Sequence, residues 1–242
     1  MVGAEAMNSP RLHAAVDSLC ANVGFAEVDE PLKTIAVVGA MPGDGKSTVA
    51  LAMARCYAAL GSRTLIVECD LRRRTIAHHL GVRPTGAPGL RAVVLGRARL
   101  EDAIVGTADA GLWMLDAEVG INAPAKLLGS KRFARLVQQL GESWDYVIFD
   151  TPPLGAFVDG ALVSAVADAA VLVVRQNHTE RRAVRAAYDQ LLKAGANVIG
   201  AVLNASDEDP LEYYGRPEDK QRLVVGAHAP AAHSRKAWHR AK

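Results

Sequence analysis

Short apolar runs rich in Val, Ile and Ala alternate with longer stretches of helical period from about Thr34 to Leu203. Such alternation predicts an α/β fold, a doubly wound, mostly parallel sheet with helices on both faces in a single domain. The runs that read as buried strands are Thr34 to Val38, Thr64 to Cys69, Tyr146 to Asp150, Ala169 to Val174 and Val198 to Leu203, with Leu112 to Leu115 as a candidate sixth. Between them the period predicts helices over Lys46 to Leu60, Pro124 to Leu140 and Glu180 to Ala194. Each is followed by a glycine (Gly61, Gly141, Gly195) suited to the left-handed turn that ends a helix. Loop signals cluster at Gly81 to Gly89 and at Ala205 to Pro210. The expected organisation is a helical segment at 1–30, an α/β domain at 31–204 and a C-terminal tail at 205–242.

Composition narrows the classes. Half of the 242 residues are hydrophobic and 22% are charged, which supplies a full core and excludes a disordered or fibrous chain. The net charge of +2 conceals an uneven distribution, because Arg216 to Lys242 carries seven Lys or Arg against two acids. That tail reads as a solvated or anionic-surface segment, and with only 5% aromatics for base stacking no specific nucleic acid is expected as a partner. Three cysteines, Cys20, Cys56 and Cys69, lack any paired spacing, so neither a disulfide framework nor a zinc site is expected and a reducing cytoplasm fits. Met1 to Leu12 has no secretory pattern, and the longest apolar stretch, Ala161 to Val174, is interrupted by Asp168 and is too short to span a bilayer. Membrane association is therefore expected only through a partner.

The candidate chemistry begins after the first predicted strand, at Ala40-Met41-Pro42-Gly43-Asp44-Gly45-Lys46-Ser47-Thr48, a phosphate-binding loop with Ala in place of its first Gly. Gly43 and Gly45 let backbone N–H groups turn inward around phosphate oxygens, the following helix points its positive end there, Lys46 supplies a cation and Ser47 a magnesium ligand. Asp150, at the end of the strand YVIFD, is placed to hold magnesium across the sheet top. Glu68 and Asp70, closing the strand TLIV, fall on one side by strand alternation and could converge on a metal or a nucleophile. An ion-paired turn with Arg72, Arg73 and Arg74 is the plainer reading of that segment.

In combination, MPGDGKST, LIVECDLR, YVIFDTPP and AVLN ahead of the Tyr213-Tyr214 pair resemble the bacterial tyrosine kinases of capsule and exopolysaccharide synthesis, over about residues 9 to 215. That family lies within the phosphate-loop ATPases related to septum-positioning and plasmid-partition proteins, which carry an extra lysine where this chain has Met41. The resemblance implies an ATP- and Mg2+-dependent protein-tyrosine autokinase that phosphorylates its C-terminal tyrosines in trans. Gly43, Asp44, Gly45, Lys46, Ser47 and Thr48 would bind ATP, with Asn204 near the adenine. Lys46, Glu68 and Asp70 would be catalytic; Ser47, Asp70 and Asp150 would hold magnesium; Tyr213 and Tyr214 would be the acceptors. The implied partner is a chain-length-regulating membrane protein whose cytoplasmic end activates the kinase, which places the chain at the inner face of the membrane.

Three departures modify these expectations. Glu68 stands where the family usually has Asp, and a carboxylate moved by about 1 Å can cost about 100-fold in rate. The family's Glu-x-x-Arg-x-x-Arg ring-forming pattern aligns with Ala14, Asp17 and Cys20, so a homo-oligomer or trans-acting dimer is expected more readily than a ring. The acceptor tyrosines are reduced to Tyr213 and Tyr214. The alternative function is a kinase-like ATPase, or one like the septum-positioning and plasmid-partition proteins, acting as a nucleotide-switched scaffold without tyrosine phosphorylation.

Overall fold

The computed structural model describes residues 10–26, 31–82, 86–118 and 120–206. Their strands are β1 (Thr34–Gly39), β2 (Thr64–Glu68), β3 (Ile104–Gly106), β4 (Leu112–Leu115), β5 (Tyr146–Asp150), β6 (Ala169–Arg175) and β7 (Val198–Asn204). They form one sheet in the order β3-β4-β2-β5-β1-β6-β7, parallel throughout except for the antiparallel edge strand β3. The helices are α1 (Pro10–Phe25), α2 (Lys46–Ala59), α3 (Ile76–His79), α4 (Leu90–Val94), α5 (Leu100–Ala103), α6 (Pro124–Leu128), α7 (Lys131–Ser143), α8 (Asp159–Ser164) and α9 (Arg181–Lys193). Central strands β1, β2 and β5 are almost wholly buried because helices cover both sides, which explains their unbroken apolar runs.

Two apolar layers lie on the two sides of the sheet. One contains Val38, Val67 and Phe149 with Phe133 and Leu140 of α7; the other contains Ile35, Val37, Ile66 and Ile148 with Leu51, Met53 and Tyr57 of α2. Helix α1 extends the second layer by placing Cys20 and Val23 against α2.

Strand positions agree with the sequence pattern to within a residue. The helix expected over Pro124 to Leu140 is instead two helices, α6 and α7. The chain breaks at Gly129, and Ser130 caps α7, its hydroxyl accepting a hydrogen bond from the Phe133 N–H at 3.1 Å. Gly141 therefore does not stop a helix. It lies within α7, where a Cβ would stand 3.2 Å from the Thr34 methyl, so its small size serves close helix–sheet approach. Gly61 and Gly195 do adopt left-handed conformations after their helices, with φ of 90° and 77°. Strand β3 carries no periodic signal in its three residues. Among the described residues no helix is long and apolar enough to cross a membrane.

Candidate active site

The C-terminal ends of β1, β2, β5, β6 and β7 converge at one end of the sheet, where doubly wound folds place their ligands. Beyond Gly39 the chain turns through residues 40–45 into α2. Gly43 and Gly45 adopt left-handed φ values of 85° and 94°, and a Cβ on Gly45 would collide with the side-chain amide of Asn204. Gly45 is the N-cap of α2 and supplies no side chain to the first-turn N–H groups. Those groups and the helix dipole therefore face the loop as an anion-binding end. Lys46 is buried, with Nζ donating to the Met41 carbonyl at 3.1 Å. Burial lowers its pKa, while Asp150, Asp44 and Asp70 act in the opposite direction.

Asp150 is fully buried beside this loop, and neither carboxylate oxygen has a hydrogen bond of good geometry within the protein. Burial raises its pKa; the nearby Ser47 hydroxyl and Lys46 favour its charge. A buried carboxylate without a well-formed hydrogen bond beside a serine hydroxyl is the hard-oxygen donor set that suits magnesium, which binds through few protein ligands and keeps waters and phosphates for the rest. No cluster of three or more His, Cys, Asp or Glu side chains able to hold a metal occurs among the described residues, so a closed all-protein cage is absent.

Glu68 and Asp70, expected from strand alternation to fall on one side, differ in burial and bonding, and both act electrostatically on the site, Asp70 on Glu68, Asp150 and Lys46. Strand β2 ends at Glu68, and the chain then folds back on that carboxylate. Glu68 is fully buried and accepts from the N–H groups of Asp70 at 3.1 Å, Thr75 at 2.7 Å and Ile76 at 3.1 Å. It shapes the turn that leads into α3. Burial and then the charge of Asp150, its neighbour across the β2–β5 pairing, raise its pKa. Asp70 is partly exposed, and its Oδ1 accepts from the N–H groups of Arg72 and Arg73 at 3.1 and 2.9 Å. The ion-paired turn exists in modified form. Arg72 reaches Asp159 at 3.2 Å and lies over the Phe157 ring at 3.9 Å, while Arg74 reaches Asp116 at 3.5 Å.

Thr75 joins this group by donating its hydroxyl to Ser47 Oγ at 3.2 Å. Asn204 sits on the phosphate loop itself, its amide donating to the Asp44 carbonyl at 2.8 Å and its Oδ1 accepting from the Ala205 N–H at 2.9 Å. Cys69 is fully buried, and burial holds its thiol well above the usual range, as suits a small core residue. Tyr213 and Tyr214, with the tail from 207 onward, lie outside the described residues.

Several residues at the site escaped the sequence pattern. Asp159 is buried with Oδ1 unpartnered, and only the fold brings it to Arg72. Arg175, His178 and Thr179 reach the phosphate loop from the turn after β6, at separations above 130 residues that no local motif reveals. The acidic start of α8 after a proline-rich loop was the one available local signal.

Comparison with known proteins agrees with this geometry. An AAA domain model matches residues 32–197. The tyrosine-protein kinase YwqD of Bacillus subtilis (strain 168) is 32% identical over 201 residues, which cover 82% of this chain and 84% of that protein. Among solved structures, the chimerical protein CapA2B2 superposes with a TM-score of 0.77 at 29% identity, covering 86% of this chain and 90% of that one. The kinase domain of the Escherichia coli tyrosine kinase ETK gives 0.74 at 26% identity, with 81% and 78% covered. A phosphate loop at the sheet top, buried acids on the two neighbouring strands and this extent of likeness have one common meaning: the chain belongs to the bacterial tyrosine kinases.

Proposed function

We propose that the chain transfers the γ-phosphoryl group of ATP, as its magnesium complex, to the phenol oxygens of Tyr213 and Tyr214 on a second copy. The observation that supports this most directly is the buried carboxylate of Asp150, without a hydrogen bond of good geometry, beside the Ser47 hydroxyl and a preformed phosphate loop. Bound magnesium would supply charge neutralisation between the phosphates and be held by Ser47 and Asp150, with Asp70 at its edge. Lys46 releases the Met41 carbonyl and turns to the phosphates, and the loop N–H groups of 43–48 orient them. Asn204 lines the loop on the adenosine side.

A phenol ionises near pH 10, so its attack benefits from a carboxylate that accepts the proton. Asp70 is assigned this role because it is partly exposed and retains an open oxygen, whereas three backbone N–H groups occupy Glu68. Glu68 then acts by fixing the turn that carries Asp70.

The autokinase would regulate exopolysaccharide or capsule synthesis and export at the inner face of the membrane, activated by the cytoplasmic end of a chain-length-regulating membrane protein. The enclosure of Glu68 favours one other reading, a scaffold that cycles ATP without labelling itself. Phosphosite mapping after incubation with Mg·ATP and the membrane partner separates them. Phosphate on Tyr213 or Tyr214, absent in Lys46→Ala, supports the kinase reading; phosphate release with no phosphotyrosine supports the scaffold.

A further inference from the structure

For loop N–H groups to converge on phosphates, the loop carbonyls must turn away, and each then needs a donor of its own. Three consecutive carbonyls of the phosphate loop are each met by a different side chain. His178 Nε2 lies 3.0 Å from Pro42 O, Arg175 Nη1 donates to Gly43 O at 3.1 Å, and Asn204 Nδ2 donates to Asp44 O at 2.8 Å. To bond a carbonyl, the His178 ring must carry its proton on Nε2.

The Asp44 side chain closes the arrangement from within. Its carboxylate is fully buried and accepts from the Met41 N–H at 2.7 Å and from the Thr179 hydroxyl at 2.7 Å. Thr179 Oγ1 in turn accepts from the Arg175 N–H at 2.8 Å, so the hydroxyl both donates and accepts.

The turn that offers these side chains is itself closed. His178 and Thr179 donate their N–H groups to the Arg175 carbonyl, Gln176 N–H donates to the Asn204 carbonyl, and Asn177 takes a left-handed φ of 57°. The ends of β6 and β7 thus form one body to which the outer side of the loop is fastened.

We infer that Thr179, His178 and Arg175 are positioning residues for the nucleotide, a clamp that holds the phosphate loop in its anion-binding shape before ligand arrives. A loop without these fastenings must be ordered by the nucleotide itself, and the ordering cost then weakens binding. The clamp acts on affinity more than on the chemical step, because its groups bond loop carbonyls and the Asp44 carboxylate rather than the loop N–H groups. It rests on the phosphate loop being the nucleotide site.

The test titrates a fluorescent Mg·ADP analogue against the full chain and its variants, with KM for ATP, kcat and melting temperature measured in parallel. Thr179→Val keeps the shape and removes the hydroxyl; it should raise both the dissociation constant and KM by about tenfold, with kcat at saturating ATP changing far less. Thr179→Ser, which retains the hydroxyl, should stay within about twofold of wild type. His178 is 38% exposed, so His178→Ala should fold normally and weaken binding about threefold, and it decides the matter if Thr179→Val fails to fold. Variants that bind as tightly as wild type, or that lower kcat while leaving KM alone, overturn the clamp. Failure of the wild-type chain to bind the analogue overturns the nucleotide site as well.

Discussion

Asp150 shows how a single residue joins stability to function. Its carboxylate is buried beyond water without a good hydrogen bond, so the apo protein holds it at a cost that a bound cation removes. Burial raises its pKa to about 7 from an ordinary 3.8. The folded state therefore keeps a proton that the unfolded chain releases. The contribution is fully present below the unfolded value and is lost as pH rises through the folded value, between about 4 and 7. Asp150→Asn should accordingly melt like wild type near pH 4, and above it by a margin that grows toward pH 8, roughly 2–4 °C for each kcal/mol recovered. The same variant should lose phosphotransfer. Nucleotide-free melts across this range check the trend, and a margin that shrinks with pH would contradict it. Lys46, Ser47 and Asp150 were legible in the sequence because each sits at a strand end or helix start that local pattern locates. The different bonding of Glu68 and Asp70 was not, since β2 ends at Glu68 and three backbone N–H groups from the following turn then occupy its carboxylate.

At the level of elements, apolar period located the buried strands well because their neighbours on both sides leave no polar face to interrupt the run. It merged α6 and α7 because both present apolar residues to the same layer, Leu127 and Leu128 from one and Phe133 and Leu136 from the other. The break depends on a local competition that period does not register, the Ser130 hydroxyl against continuation of the helix. Ser130→Ala should cost about 1 kcal/mol and lower the melting temperature by about 2–4 °C, since it removes the acceptor for the Phe133 N–H. A melt unchanged by this substitution would show that packing alone starts α7. Strand β3 eluded period for a different reason. Three residues are too few for alternation to be visible, and the strand exists because β4 offers it an edge.

Across the whole molecule, acceptor and catalyst are expected to meet between copies, which makes transfer separable by mixing. Lys46→Ala retains both tyrosines but lacks the cation proposed to bind phosphate, while Tyr213→Phe with Tyr214→Phe retains that cation and lacks the proposed acceptors. Mixed with Mg·ATP, the pair should label the Lys46→Ala chain, with a rate that rises with total concentration. Labelling confined to wild type, or independent of concentration, would place the reaction within one copy. The positions of the strands along the chain, the phosphate loop and the acids at strand ends all follow from local composition: hydrophobic period, glycine conformation and helix starts act over a few residues. Contacts over large separations had to await the folded chain. Arg72 meets Asp159, Asn204 rests against Gly45, and Thr179 reaches Asp44 because a doubly wound sheet brings distant strand ends to one edge. Local pattern places a residue on its element, whereas its partner is chosen by which elements the sheet makes neighbours.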